Sequence, residues 1–234
     1  MIVWVASYPR SGNSLVRAML SSVFLLNCTE RYRERDIADL SKQSPAALRE
    51  TSIFARVDFS FDFLGPWLEY RAAAHAAPHN VYIKTHEPAD DDSRAIYVVR
   101  DPRSALVSYL HFQRLHYPEL SFSQEDVIKG SIGFGSWSAH LESWQPDRRS
   151  GTLLLRYEDM VEHPDSAIAA ISNFLGSPPL RPWRNFFGAL HAFQPKLYRS
   201  GSDTKNVSEL TASQVSLVES LHGPWMRRLG YDRN

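Results

Sequence analysis

Cysteine is almost absent from this sequence, which contains only Cys28 among its 234 residues. A single cysteine excludes a disulfide framework within the chain and any metal site that needs several thiolates. No apolar run reaches the roughly 18 residues that a membrane-spanning helix requires. Acidic and basic residues balance at 26 each, so the net charge gives no reason to expect nucleic-acid or anionic-membrane partners.

Lysine is also scarce, because only 5 of the 26 basic residues are Lys and the other 21 are Arg. Arg presents a planar fork of N–H donors that suits phosphate and sulfate groups. Hydrophobic residues make up 43% of the chain, which is ordinary for a globular domain and too high for a disordered chain. The sequence opens on an apolar strand without the features of a secretory peptide, so we expect a cytoplasmic protein.

Short apolar runs alternate with segments of helical length along the chain. Strands are predicted over residues 2–6, 81–83, 95–99 and 153–155, and helices over 14–26, 103–114 and 163–175, the last ending at Gly176. This alternation predicts an α/β fold with a mostly parallel β-sheet flanked by helices. No repeat or linker divides the sequence, so residues 1–234 are expected to form a single domain. Residues 31–80 and 115–135 lack a clear period, which is typical of lids and binding loops.

The strongest local pattern is the turn after the first strand. Pro9 and Gly12 lie in a tight turn that leads into a helix, a P-loop-like arrangement that directs backbone N–H groups at an anion. Side chains in this turn add a positive charge and short polar groups, at Arg10, Ser11, Asn13 and Ser14. The alternative is an ordinary helix N-cap. The turn lacks the G-x-x-x-x-G-K-[ST] pattern, which counts against an ATP-hydrolysing or kinase site.

Two other predicted strands also end in polar residues. Arg100 follows the strand at 95–99, with Ser108 on the next helix, and ligands in open α/β sheets lie beyond such strand ends. His86 follows the strand at 81–83, and its pKa near neutrality makes it a candidate general base. The alternatives are a surface ion pair for Arg100 and a structural role for His86. No two His residues have the H-E-x-x-H spacing of a zinc site, and we expect no metal.

Four motifs occur in one order along the chain. They lie at residues 7–14, 84–86, 97–109 and 156–160, and residues 135–137, Trp144 and residues 229–231 extend the pattern. Together they resemble the soluble sulfotransferases that use 3′-phosphoadenosine 5′-phosphosulfate (PAPS), in a short, bacterial-like form. The resemblance implies transfer of a sulfuryl group from PAPS to a hydroxyl of a small-molecule, natural-product or glycan acceptor. The product would be adenosine 3′,5′-bisphosphate (PAP).

The resemblance implies a role for each matched residue. His86 matches the catalytic base, and Lys84 matches a second cation near the transferred group. Arg10 stands where the family has Lys, so it would contact the bridging or sulfuryl oxygens. Further nucleotide contacts are implied at Ser11, Gly12, Asn13 and Ser14 for the 5′-phosphate, Arg100 and Ser108 for the 3′-phosphate, Tyr157 for the adenine, and Arg199, Ser200 and Gly201 for a segment that closes over the 3′-phosphate. Leu15 stands at a nucleotide-binding position where the family usually has Trp.

Several alternatives stay open at this point. Glu87 is a second candidate base, because Golgi-type relatives use a Glu; adjacent strand residues face opposite sides, so only one of Glu87 and His86 is expected to serve. A P-loop-type nucleotide-dependent kinase and a nucleotide-binding protein without catalysis are the competing functions. The aromatic segments 54–67 and 117–134 either line an acceptor pocket or pack as core. The family's dimerisation pattern is not reproduced at residues 205–214, so the sequence predicts no oligomeric state.

Overall fold

A five-stranded parallel sheet organises the fold. The computed structural model describes residues 1–30, 67–185, 187–193, 195 and 206–232. The strands are β1 (Ile2–Ser7), β2 (Cys28–Glu30), β3 (Val81–Thr85), β4 (Arg94–Val99) and β5 (Thr152–Arg156). Their order across the sheet is β2-β3-β1-β4-β5, and every neighbouring pair is parallel. The predicted α/β fold with a parallel sheet and flanking helices is confirmed.

Helices follow most of the strands. They are α1 (Asn13–Phe24), α2 (Trp67–Ala76), α3 (Pro102–His116), α4 (Gln124–Lys129), α5 (Trp137–Trp144), α6 (Tyr157–Glu162), α7 (Pro164–Leu175), α8 (Phe187–Phe193) and α9 (Ala212–Arg228). The segment predicted to be irregular at 115–135 contains α4, whose start is fixed by a capping box between Ser123 and Asp126. None of the helices in the described ranges is long and apolar enough to cross a membrane.

Both faces of the sheet are buried, as the continuous apolar strands predict. Successive residues of β1 alternate between two apolar clusters, so that Trp4 lies in one and Val5 in the other. Residues of α3, α5 and α9 complete the first cluster, and residues of α1 and α7 complete the second. The sheet is therefore covered on both faces. A ligand can reach polar backbone groups beyond the ends of the strands.

The strand order brings the polar strand ends together. β1 lies between β3 and β4, with Ala6 paired to Thr85 on one side and to Tyr97 on the other. Since all of these strands are parallel, the residues that follow each of them emerge at the same edge of the sheet. β5 lies next to β4 and delivers the start of α6 to that edge.

Candidate functional site

The loop between β1 and α1 has a backbone shape that the sequence explains. Arg10 and Gly12 have φ angles of 62° and 107°, which lie in the left-handed region that favours glycine. A Cβ atom at Gly12 would lie 2.7 Å from Cδ2 of Tyr157, so the close approach also requires glycine. The loop turns the chain into α1, whose first N–H groups have no partner within the helix. These N–H groups can bind an anion.

The polar side chains of this loop point in different directions. The Ser11 hydroxyl is buried and, within the described part of the chain, has no hydrogen-bond partner, whereas Ser14 is exposed. The side-chain nitrogen of Asn13 donates to the carbonyl oxygen of Val5 at 3.0 Å and to the Ser7 hydroxyl at 3.3 Å. Asn13 therefore braces the end of β1 with its side-chain nitrogen, while its backbone N–H belongs to the first turn of α1.

Four of the predicted site residues, from three strand ends and one helix, lie together beside this loop. Nε of Arg10 donates to the Ser108 hydroxyl at 3.2 Å, which joins the loop to α3. Nη1 of Arg100 donates to the carbonyl oxygen of Arg10 at 3.2 Å, and its guanidinium lies 4.2 Å from the ring centroid of Tyr157. Two guanidinium groups beside a hydroxyl can bind a phosphate group, and the neighbouring aromatic face can bind the ring of a nucleotide base.

The Arg100 loop is held in place by a network of hydrogen bonds that includes Tyr231, near the end of the chain. Asp101 caps α3 by accepting from the backbone N–H of Arg103, and it also pairs with the Arg103 guanidinium at 2.6 Å. Arg103 donates onward to the carbonyl oxygen of Tyr231 at 3.1 Å. The two carboxylate oxygens of Glu158 accept from the Asp101 N–H and from the Tyr231 hydroxyl. This network fixes the backbone that carries Arg100.

His86 lies at the other side of the β1 end. Its Nδ1 atom is 2.7 Å from the carbonyl oxygen of Ser7. A carbonyl oxygen only accepts hydrogen bonds, so Nδ1 carries the proton and the lone pair is on Nε2. His86 is half-buried. Its partial removal from water, followed by the positive charge of Lys84, lowers the pKa of His86 well below 6.5, and Arg17 adds to this effect. The imidazole is therefore a neutral acceptor at pH 7.

Two residues of α5 also contact the backbone at His86, and sequence reasoning missed their role. Nε2 of His140 donates to the carbonyl oxygen of His86 at 3.0 Å, and Nε1 of Trp144 donates to the carbonyl oxygen of Glu87 at 2.9 Å. Burial lowers the pKa of His140 to about 4. His140 follows no strand and so carried no signal of that kind, but its i, i+4 spacing to Trp144 places both on one helix face.

Comparison with known proteins places the chain in a family. The model of the sulfotransferase domain matches residues 2–187. The chain belongs to the sulfotransferase family. Sulfotransferase 1A1 of Canis lupus familiaris is 28% identical over 188 residues, which are 74% of this chain and 58% of that protein. Human sulfotransferase 4A1 is 27% identical over 184 residues, or 74% of this chain and 59% of that protein. The chain thus matches under two thirds of these relatives' length.

Solved structures share the fold of this sulfotransferase-family chain. Mouse sulfotransferase SULT7A1 complexed with PAP has a TM-score of 0.65 at 18% identity, over 97% of this chain and 84% of that one. Retinol dehydratase in a complex with retinol and PAP has a TM-score of 0.64 at 19% identity, over 96% and 81%. The similarity extends beyond the residues that the family model matches, to most of the chain.

The remaining predicted residues of this sulfotransferase-family chain are divided between its described and undescribed parts. Arg199, Ser200 and Gly201 lie outside the described residues, as does the segment 54–66. The stretch 117–134 divides in two: Val127 and Ile128 are core residues of α4, whereas the ring of Phe134 lies 5.6 Å from the ring of His86. Over the described residues, no cluster of three or more His, Cys, Asp or Glu side chains could hold a metal ion.

Proposed function

We propose that this chain transfers a sulfuryl group from PAPS to a hydroxyl of an acceptor and releases PAP. The observation that carries the proposal is that the end of β1 serves two groups at once. Its Ser7 carbonyl oxygen accepts from a neutral His86, and the loop that contains Arg10 and Gly12 starts directly after Ser7. A base for an attacking hydroxyl and an anion loop for a leaving phosphate would thereby both be positioned by the end of β1.

The nucleotide would lie across the loop and the start of α3. The N–H groups at the start of α1, with the Ser11 and Ser14 hydroxyls, would bind the 5′-phosphate beside Leu15. Arg100 and Ser108 would bind the 3′-phosphate, and Tyr157 would bind the adenine. These side chains lie together, because Ser108 and Arg100 both contact Arg10 and Arg100 also stacks on Tyr157. Arg199, Ser200 and Gly201 remain predicted contacts. PAP complexes of SULT7A1 and retinol dehydratase support a site for this nucleotide in the shared fold.

The reaction would be an in-line displacement at sulfur. Nε2 of His86 would take the proton of the acceptor hydroxyl as its oxygen forms the new bond to sulfur. The bond from sulfur to the 5′-phosphate oxygen breaks, and Arg10, Lys84 and the loop N–H groups would stabilise the charge on that oxygen. The proton stays on His86 until it is released to solvent. Lys84 is only 4% exposed, so its charge would act at low screening.

The acceptor would contact His86 next to Phe134, since the ring centroids of these two residues are 5.6 Å apart. This aromatic surface favours a hydroxyl carried on an apolar or aromatic group, within the broader class of small-molecule, natural-product or glycan acceptors. The cytoplasmic location and the single domain over residues 1–234 remain predictions from the sequence.

Incubation with sulfur-35-labelled PAPS and a panel of hydroxyl compounds tests the proposed function. We expect label on at least one acceptor together with an equal amount of released PAP. In parallel, PAP should raise the melting temperature, while ATP with magnesium should not. Stabilisation by ATP with magnesium alone would support the kinase alternative. Stabilisation by PAP without label transfer to any acceptor would support the non-catalytic alternative.

A further inference from the structure

The backbone that follows β3 is held by side chains rather than by the sheet. The ladder between β1 and β3 ends at the pair Ala6–Thr85, one residue before His86. At the next two carbonyl oxygens, His140 and Trp144 supply the hydrogen bonds, at 3.0 Å and 2.9 Å. Both donors come from one face of α5, and so they extend the fixed part of the backbone through His86.

The two hydrogen bonds of the His140 ring together fix its tautomer. The Tyr97 hydroxyl lies 2.7 Å from Nδ1 of His140. Since Nε2 of His140 must donate to a carbonyl oxygen, Nδ1 of the neutral ring has the lone pair and accepts from the Tyr97 hydroxyl. Both side chains are buried, with 1% and 2% exposure. A single tautomer therefore satisfies every polar atom of this chain of hydrogen bonds.

Burying such a chain of hydrogen-bonded polar groups in a core has a high cost in free energy. Burying an imidazole and a phenol requires a partner for each polar atom, and a lost partner costs about 1–3 kcal/mol. Apolar side chains of similar size would fill the same volume without that requirement. The chain of bonds runs from β4 through α5 and ends on the peptide of His86, so its effect is concentrated at that residue.

We propose that His140 is a positioning residue for His86, and that its bond to the His86 carbonyl oxygen keeps Nε2 of His86 directed at the acceptor. His140 holds the carbonyl oxygen of His86, and Ser7 holds its ring. Loss of the hydrogen bond from His140 lets the peptide rotate and weakens the hydrogen bond from the ring to Ser7. The functional part of this inference rests on the proposed sulfuryl transfer.

His222 provides a matched control within the same molecule. It is also buried, with 1% exposure. Its Nδ1 atom lies 2.8 Å from the Ser138 hydroxyl, and its Nε2 donates to the carbonyl oxygen of Ile128 at 3.0 Å. The two histidines thus have the same pattern of partners, but the carbonyl oxygen that His222 holds belongs to α4 and not to the proposed base.

The test compares Gln and Asn at each of these two positions. The side-chain nitrogen of Gln can reach the place of Nε2, whereas that of Asn is too short and falls near Nδ1. We expect His140→Asn to lower kcat by about 10- to 100-fold, the effect of a small misplacement of a reacting group. His140→Gln should stay within about threefold of the wild type, and the Kd for PAP should not change in either variant. Both His222 variants should keep the wild-type kcat.

The inference is overturned if His140→Asn and His140→Gln lower kcat equally, or if the loss matches that of the His222 variants. Should the His140 variants not fold, Tyr97→Phe removes only the hydroxyl that orients His140. It should lower kcat at an unchanged Kd for PAP, and an unchanged kcat would then contradict the inference.

A spectroscopic measurement separates this inference from the proposed function. Nitrogen-15 NMR of labelled histidine reports which ring nitrogen of His86 carries the proton. We expect Nδ1–H in the wild type and in His140→Gln, and a mixture of both tautomers in His140→Asn. An unchanged tautomer in His140→Asn would contradict the positioning role. A wild-type protein that transfers no sulfuryl group would refute the proposed function, while the NMR comparison would still decide the role of His140.

Discussion

The imidazole of His86 donates from Nδ1 to the main-chain oxygen of Ser7 at 2.7 Å. Ser7 is the last residue of β1, and the anion loop starts directly after it. One strand end thus orients the proposed base and begins the loop for the proposed leaving group.

Gly12→Ala should impair nucleotide binding. Alanine is strained at a φ of 107°, and its Cβ would lie 2.7 Å from Tyr157, so the ring or the loop must move. We expect a loss of about 1–3 kcal/mol in unfolding free energy and at least tenfold weaker binding of PAP, measured by urea denaturation and calorimetry. Gly176→Ala is the control, because its φ is 67° and nothing lies within 4 Å. It should lower stability and leave PAP binding unchanged.

Arg100→Ala should distinguish nucleotides by their 3′-phosphate. A hydrogen bond between charged groups is worth roughly 1.5–3 kcal/mol, so PAP should bind about 10- to 100-fold more weakly. Adenosine 5′-phosphate lacks the 3′-phosphate and should lose much less affinity in calorimetry. Arg228→Ala is the control, since Arg228 also stacks on an aromatic ring, that of Trp225, but pairs with Asp147. Equal losses for both nucleotides in Arg100→Ala would contradict the assignment.

The bounds of the strands could be predicted from the sequence where the strand is buried along its whole length. They were harder to predict where pairing with a neighbouring strand determines them. Residues 2–6 and 95–99 are apolar throughout and form β1 and β4 almost as predicted. β3 extends through Lys84 and Thr85, two residues past the predicted end, because these polar residues pair with β1. β2 has only three residues and exists through its pairing with β3, so no periodic pattern within the sequence could indicate it.

The candidate site likewise contains residues that the sequence could indicate and residues that it could not. Arg10, Arg100 and Tyr157 each follow a strand, and parallel strand ends meet at one edge, so their proximity could be expected from the sequence. His140 and Trp144 reach the same edge through the packing of α5, which no spacing relative to a strand encodes. The contribution of Arg17 to the pKa of His86 is likewise a tertiary effect, because its helix packs on the sheet.

Activity should survive removal of divalent metal ions. The proposed displacement assigns charge stabilisation to Arg10, Lys84 and backbone N–H groups, so EDTA should leave the rate of label transfer from PAPS unchanged. The matched comparison adds magnesium back after EDTA treatment and should show no gain. Loss of label transfer on chelation that magnesium restores would contradict the assignment of charge stabilisation to these groups alone.

The stability of the fold should decrease in mildly acidic solution. The pKa of His140 is about 4 in the folded chain and about 6.5 when unfolded. The unfolded state therefore binds the additional proton between these values, and stability falls as the pH drops below 6.5. From pH 7 to 5 this residue should remove about 2 kcal/mol. Urea denaturation of the wild type and His140→Gln at both pH values isolates this contribution, and an equal pH dependence in both would contradict it.

Steady-state kinetics of His86→Ala and Glu87→Gln test the central claim most directly, with any hydroxyl compound that accepts the label. Loss of a general base costs about 10²- to 10⁴-fold, so His86→Ala should lower kcat by that factor while the Kd for PAP barely changes. Glu87→Gln should cost much less, because the two neighbours are expected to face opposite sides. The reverse result, an inactive Glu87→Gln and a nearly normal His86→Ala, would show that His86 is not the base.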